Sequence, residues 1–117
     1  MCFACGKDNP IGLHIDYAVD GDTCTAEFTP SENHLSWEDT VHGGIIYSAL
    51  DDVTGNIPYQ QGLVAHTARC EIRYRQPLRK GQTVLLFGRL AVKRCTKQAH
   101  QHCRSRRQAP GNLPLGF

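Results

Sequence analysis

The stretch Val41-His42-Gly43-Gly44-Ile45-Ile46-Tyr47-Ser48-Ala49-Leu50-Asp51-Asp52-Val53-Thr54-Gly55 decides the fold. Read at about 100° per residue, Ile45, Ile46, Ala49, Leu50 and Val53 fall on one apolar stripe, so the spacing predicts a helix with one buried face. Asp51 points almost opposite that stripe, on the side of Gly44, Tyr47, Ser48 and Gly55. Asp52 lies nearer the edge of the stripe and reads as a packing or surface carboxylate, which leaves Asp51 as the acid the helix presents. At the start of the helix, Gly43 and Gly44 keep side chains away from the first backbone N–H groups. Those groups lack intrahelical partners and sit at the positive end of the macrodipole, where a carbonyl or an oxyanion docks. A plain loop-to-helix junction that uses glycine for tight packing fits the same residues.

Upstream, Lys7-Asp8-Asn9-Pro10-Ile11-Gly12 is turn chemistry. Leu13, Ile15 and Tyr17 alternate with His14 and Asp16. After Asp20-Gly21-Asp22, Cys24, Ala26 and Phe28 alternate with Thr23, Thr25 and Glu27, which predicts a hairpin with one apolar face. Trp37, in the polar loop before the helix, is expected to anchor packing. Downstream, Asn56-Ile57-Pro58 is expected to stop the helix, because a proline ring disfavours helical geometry in the residue before it. Cys70, Ile72 and Tyr74 alternate with Arg69, Glu71, Arg73 and Arg75, the pattern of a strand closed by Pro77. Lys80-Gly81-Gln82 turns the chain into a mostly apolar strand over 84–92. Hairpin, helix, strand and strand make an α+β arrangement, the helix stripe packing on a four-stranded antiparallel sheet.

The 117 residues suit one small domain, and 40% hydrophobic content is ordinary for a soluble protein. The domain is expected over 1–95. Residues 96–117 show neither alternation nor a helical stripe and are rich in Gln, Arg, His, Pro and Gly, so they read as an irregular tail. Charge is uneven as well. Residues 1–92 carry 7 of the 13 basic residues and all 11 acidic ones, and the last 25 carry the other 6 basic ones. No run of about 18 apolar residues occurs and the first residues lack a hydrophobic signal region, so a cytoplasmic protein without a membrane partner is expected. Six cysteines in that setting argue for reduced thiols. Cys2-x-x-Cys5 has the spacing of half a zinc site, but only the scattered Cys95, His100, His102 and Cys103 could complete it, so no metal is expected.

Three motifs in order carry a resemblance. Cys2-Phe3-x-Cys5-Gly6-x-x-Asn9-Pro10-x-Gly12-Leu13, then His42-Gly43-Gly44 with Asp51 further along the helix, then Arg69-x-Glu71-x-x-Tyr74-x-x-Pro77, resemble a PaaI-like acyl-CoA thioesterase of the hotdog superfamily. The match runs from residue 2 to about residue 94. The resemblance implies a hotdog fold, an antiparallel sheet wrapped around one central helix, assembled as a homodimer or a tetramer of dimers. It implies hydrolysis of an acyl-CoA thioester without a cofactor. It also implies roles: the Gly43 N–H, with Gly44 beside it, polarises the thioester carbonyl, and Asp51 acts as general base or nucleophile. Thr67, seven residues before Tyr74, stands where some relatives carry a hydroxyl that helps place water. Ser36 stands where some carry an Asn ahead of the His-Gly-Gly, and His42 orients the loop or contacts substrate. Tyr47, with Trp37, Tyr59 and Phe28, is a candidate for the acyl pocket. Arg75, Arg79 and Lys80 are candidates for the phosphates of coenzyme A.

The resemblance also sets up a departure. In that family two more alternating strands follow the one ending near Val92, whereas here residues 98–107 are polar and basic and Pro110, Gly111 and Pro114 interrupt the rest. The sheet is therefore expected to be short of its last strands.

Helix geometry bears on the assembly. Gly43 and Asp51 are eight residues apart, a rise of about 12 Å on one helix. Both must come within about 3 Å of one reacting carbonyl. The site therefore requires two helices side by side, Gly43 from one subunit and Asp51 from the other. Other readings keep part of this pattern. A non-catalytic acyl-CoA-binding hotdog protein, or a thioesterase disabled by a truncated sheet, keeps the fold without turnover. A zinc- or nucleic-acid-binding module uses Cys2, Cys5 and the basic tail but leaves the His-Gly-Gly helix unexplained, so no nucleic-acid partner is expected. A dehydratase of the same superfamily would need a pairing of His and acid that is not evident.

Overall fold

The computed structural model describes residues 1–90 and the backbone of residues 104–109 and 113–116. Strands β1 (Tyr17–Asp20) and β2 (Thr23–Phe28) form a hairpin, and helix α1 spans Gly43–Gln60. Strands β3 (Val84–Arg89), β4 (Arg104–Ala109) and β5 (Leu113–Gly116) follow. The sheet order is β1-β2-β3-β4-β5 and every neighbouring pair is antiparallel. No helix among the described residues is long and apolar enough to cross a membrane.

Register explains where the core sits. Cys24 pairs with Gly88, Ala26 with Leu86 and Phe28 with Val84, so all six buried residues lie on one face of the β2–β3 ribbon. The predicted helix stripe packs onto that face: Ile46, Ala49, Leu50 and Val53 are buried, Ile57 continues the stripe, and Ile45 is half-buried at its margin. Each fully buried aliphatic side chain contributes about 1.5–3 kcal/mol. Gly88 permits the closest approach. A Cβ there would lie 2.9 Å from Cγ1 of Val53, which is itself fully buried. Gly88→Ala is therefore expected to destabilise the fold by about 1–3 kcal/mol, read as a lower midpoint of denaturant unfolding. An unchanged midpoint would contradict this packing.

Several expectations are corrected. The helix does not stop ahead of Pro58 but runs through it to Gln60. Ile57 and Pro58 are both buried, and the Pro58 carbonyl accepts the N–H groups of Gln61 (3.0 Å) and Leu63 (2.9 Å). Packing and capping of this last turn thus offset the one hydrogen bond that the ring removes. The first strand starts at Tyr17 rather than Leu13. Leu13 and Ile15 instead donate their N–H groups to the carbonyls of Phe3 (2.7 Å) and Ala4 (2.9 Å), which lays the N-terminal arm along them. Trp37 is 76% exposed and so does not anchor packing among the described residues.

The alternating run from Arg69 to Arg75 belongs to no strand, although Cys70 and Ile72 are half-buried and Arg69, Glu71 and Arg73 exposed as the alternation requires. Alternation specifies faces, not a hydrogen-bonding neighbour. Of residues 96–117, read from sequence as an irregular tail, ten have strand backbone, β4 pairing with β3 and β5 with β4. Backbone pairing does not require an alternating sequence, and Pro114 sits on β5, the edge of the sheet, where a missing N–H is tolerated. The rest of that segment, with Cys95, His100, His102 and Cys103, lies outside the described residues.

Candidate active site

His42 caps α1. Its backbone is extended (φ −60°, ψ 131°), its carbonyl accepts the Ile45 N–H at 3.0 Å, and its Nδ1 accepts the Gly44 N–H at 2.9 Å. The Gly44 N–H is therefore already bonded to the cap. Gly43 differs. Among the described residues its N–H has no acceptor, and it lines a cleft of about 320 Å³ together with Ser36, Val41, Ile46, Tyr74 and Arg75. The junction is pinned on both sides. Val41 donates to the Leu78 carbonyl and His42 to the His34 carbonyl, each at 2.8 Å, and the Tyr74 hydroxyl donates to the Gly43 carbonyl at 2.8 Å. A fixed, unpartnered N–H at a helix N-terminus is a preorganised donor for developing negative charge.

A second cleft, of about 510 Å³, opens one helical stretch away and is lined by Asp51, Asp52, Tyr59, His66 and Thr67, with Cys2 and Cys5 on its wall. Thr67 Oγ1 donates to Asp51 Oδ1 at 2.5 Å, while Asp51 Oδ2 has no partner among the described residues. The carboxylate is thus oriented through one oxygen and open at the other. Asp52 is committed elsewhere: Oδ2 accepts from Asn56 Nδ2 at 3.3 Å, and Oδ1 accepts the Cys2 thiol at 3.7 Å. Around Asp52 the surroundings resist further negative charge. Burial pushes the Cys5 thiol up to about 12, with Cys2 and Asp52 adding to it. Burial likewise raises the Tyr17 hydroxyl, and Asp52 raises it further.

No sequence family and no curated protein matches the chain. Solved structures do. E. coli PaaI, from the phenylacetic acid degradation operon, superposes with a TM-score of 0.77 at 21% identity, over 88% of this chain and 73% of that one. A Streptococcus mutans protein bound to acetyl-CoA gives 0.79 at 17% identity, over 93% and 86%. A hypothetical thioesterase from Streptococcus pneumoniae with coenzyme A gives 0.76 at 13% identity, over 86% and 77%. Two further structures of that pneumococcal protein are of single-alanine variants, at an aspartate and at a threonine 16 residues apart. The chain has the hotdog fold.

In this hotdog domain the other expected contacts divide. Ser36 and Arg75 line the Gly43 cleft. Tyr47, Arg79 and Lys80 are not among the residues lining these two clefts. Tyr47 is half-buried on α1. Arg79 Nη1 donates to Thr40 Oγ1 at 3.1 Å, and the Lys80 N–H donates to the Asp39 carbonyl at 2.9 Å. The convergence of Cys2 and Cys5 on Asp52 escapes sequence reasoning. The Cys-x-x-Cys spacing was visible, but nothing local links it to a helix residue fifty positions on.

Proposed function

We propose that the chain hydrolyses acyl-CoA thioesters in a site assembled from two copies of itself. The observation that carries this reading is the Asp51 carboxylate, oriented by Thr67 through Oδ1 and open at Oδ2 in a cleft. Asp51 and Thr67 are 16 residues apart, the separation of the aspartate and threonine varied in the pneumococcal hypothetical thioesterase. The coenzyme A and acetyl-CoA in two of the similar structures support the substrate class.

On this reading the thioester carbonyl accepts the Gly43 N–H of one copy, and Asp51 of the other copy faces its carbon. As general base, Asp51 takes a proton from water through Oδ2 while the water oxygen bonds to the carbonyl carbon; as nucleophile, Oδ2 bonds to that carbon itself and water then cleaves the anhydride. In both routes the oxyanion is held by the Gly43 N–H until the C–S bond breaks and coenzyme A leaves as a thiolate that regains a proton. Arg75, in the Gly43 cleft, suits a phosphate of the same ligand. Tyr59, Leu63 and Val64 beside one cleft and Tyr74 beside the other are large exposed apolar side chains that a second copy would cover.

Release of free thiol from a panel of aromatic and aliphatic acyl-CoA thioesters tests the proposal. Turnover of at least one class is expected, and a folded dimer that binds acyl-CoA without turnover would replace it with the non-catalytic reading. Thr67→Val is expected to lower kcat about 10- to 100-fold with KM little changed, since a hydrogen bond to a charged group is worth about 1.5–3 kcal/mol. An unchanged kcat would remove Thr67 from the mechanism.

A further inference from the structure

We infer that Cys2, Cys5 and Asp52 bind one zinc ion, or a similar thiophilic divalent cation, and so clip the N-terminal arm to the central helix. The two Sγ atoms and a carboxylate oxygen of Asp52 all lie within 4.8 Å of one another. Zinc bonds of about 2.3 Å to sulfur and 2.0–2.2 Å to oxygen give tetrahedral edges of about 3.5–3.8 Å. The Cys2 Sγ to Asp52 Oδ1 separation, 3.7 Å, is already such an edge. Two thiolates and one carboxylate suit a borderline-soft ion and disfavour magnesium or calcium, which take all-oxygen shells.

The arm is built to present both sulfurs. Gly6 donates its N–H to the Cys2 carbonyl at 2.9 Å, and the Cys5 N–H points at Cys2 Sγ at 3.5 Å. A Cβ at Gly6 would lie 2.6 Å from the backbone N and O of Cys2, so only glycine closes this turn. Asn9 Nδ2 holds the Met1 carbonyl at 3.1 Å. On the helix side, Asn56 Nδ2 fixes the other oxygen of Asp52, as the outer partner of a metal-bound carboxylate does.

The Tyr17 hydroxyl is buried beside the Asp52 carboxylate, with Cys5 and Cys2 close by, and closes the inner side of the cluster. Three protein ligands leave a fourth position on zinc for water. Cys2 is exposed and Cys5 and Asp52 are half-buried at the wall of the Asp51 cleft, so an ion reaches the site from solvent. Binding displaces the two thiol protons to solvent, and the divalent charge relieves the mutual repulsion of three anionic ligands.

Cobalt(II) titration of the reduced, metal-free full chain tests this, with zinc as competitor. One equivalent per chain is expected, with intense thiolate-to-cobalt charge-transfer absorption that zinc abolishes and magnesium does not. The Cys2→Ser, Cys5→Ser double variant is expected to lose the absorption, although Cys24, Cys70, Cys95 and Cys103 remain. Asp52→Asn is expected to keep it but to weaken binding about tenfold or more. Because Cys2 is exposed, Cys2→Ser alone removes nothing from the core, and a reduced absorption in that variant guards against misfolding of the double one. Absence of the absorption in the parent chain, its persistence in the double variant, or unchanged affinity in Asp52→Asn would each overturn the site. The readout is metal binding, so it stands or falls separately from thioester hydrolysis.

Discussion

Asp51→Ala is expected to lower kcat for acyl-CoA hydrolysis by about 10³-fold while acyl-CoA binding changes little, because a positioned acid–base group supplies about 10²–10⁴ in rate and acts on the reacting atoms alone. The substitution is clean on structural grounds. Asp51 is half-buried on the face of α1 opposite the core stripe, so its side chain fills no core volume. It does leave the Thr67 hydroxyl without its acceptor. Asp51→Asn therefore accompanies it, since the amide oxygen still accepts that bond while the base and the nucleophile are gone. Both variants should lose turnover and keep the parental unfolding midpoint. Loss in Asp52→Asn with activity kept in Asp51→Asn would move the chemistry one residue along the helix.

Gly43→Pro is expected to cost about 10²–10³-fold in kcat, the loss seen when one oxyanion donor is removed. Proline is compatible with this position. It is the first residue of the helix, where proline is tolerated because its N–H has no intrahelical partner, and His42 already has the extended backbone that a residue before proline adopts. The remaining cost is steric, since a Cβ would lie 3.3 Å from Cζ of Tyr74. Gly43→Ala brings the same contact but keeps the N–H. A large loss in Pro with a small one in Ala assigns the effect to the donor, and equal losses would assign it to Tyr74 packing.

The elements that carry this chemistry were legible because they are local. The stripe of Ile46, Ala49, Leu50 and Val53 needs only helical pitch to be read, and that pitch puts Asp51 on the far side. Cys24, Ala26 and Phe28 needed only a period of two. What stayed hidden depends on contacts distant in sequence. Pro58 continues α1 because Ile57 and Pro58 are buried and Leu63 returns to cap the turn, none of which a local rule against proline weighs. Leu13 and Ile15 obey strand alternation yet pair with the N-terminal arm, not with β2. The run from Arg69 to Arg75 has a strand's pattern and forms no strand among the described residues, and residues 104–109 have partners without the pattern. At the site, His42 closes the Gly44 N–H through an imidazole cap that glycine counting does not foresee. The bond from Thr67 to Asp51 was approached only through the resemblance, since its geometry depends on a loop that folds back on the helix.

The site shared between two copies is the central claim, and subunit complementation tests it most directly. Asp51→Ala and Gly43→Pro chains, each nearly inactive alone, are produced together with different tags and the heterodimer is isolated. A two-fold dimer of this kind has one site with both groups intact and one with neither, so about half of parental activity per heterodimer is expected. Heterodimers no more active than the two parents would contradict a site that takes Gly43 from one chain and Asp51 from the other.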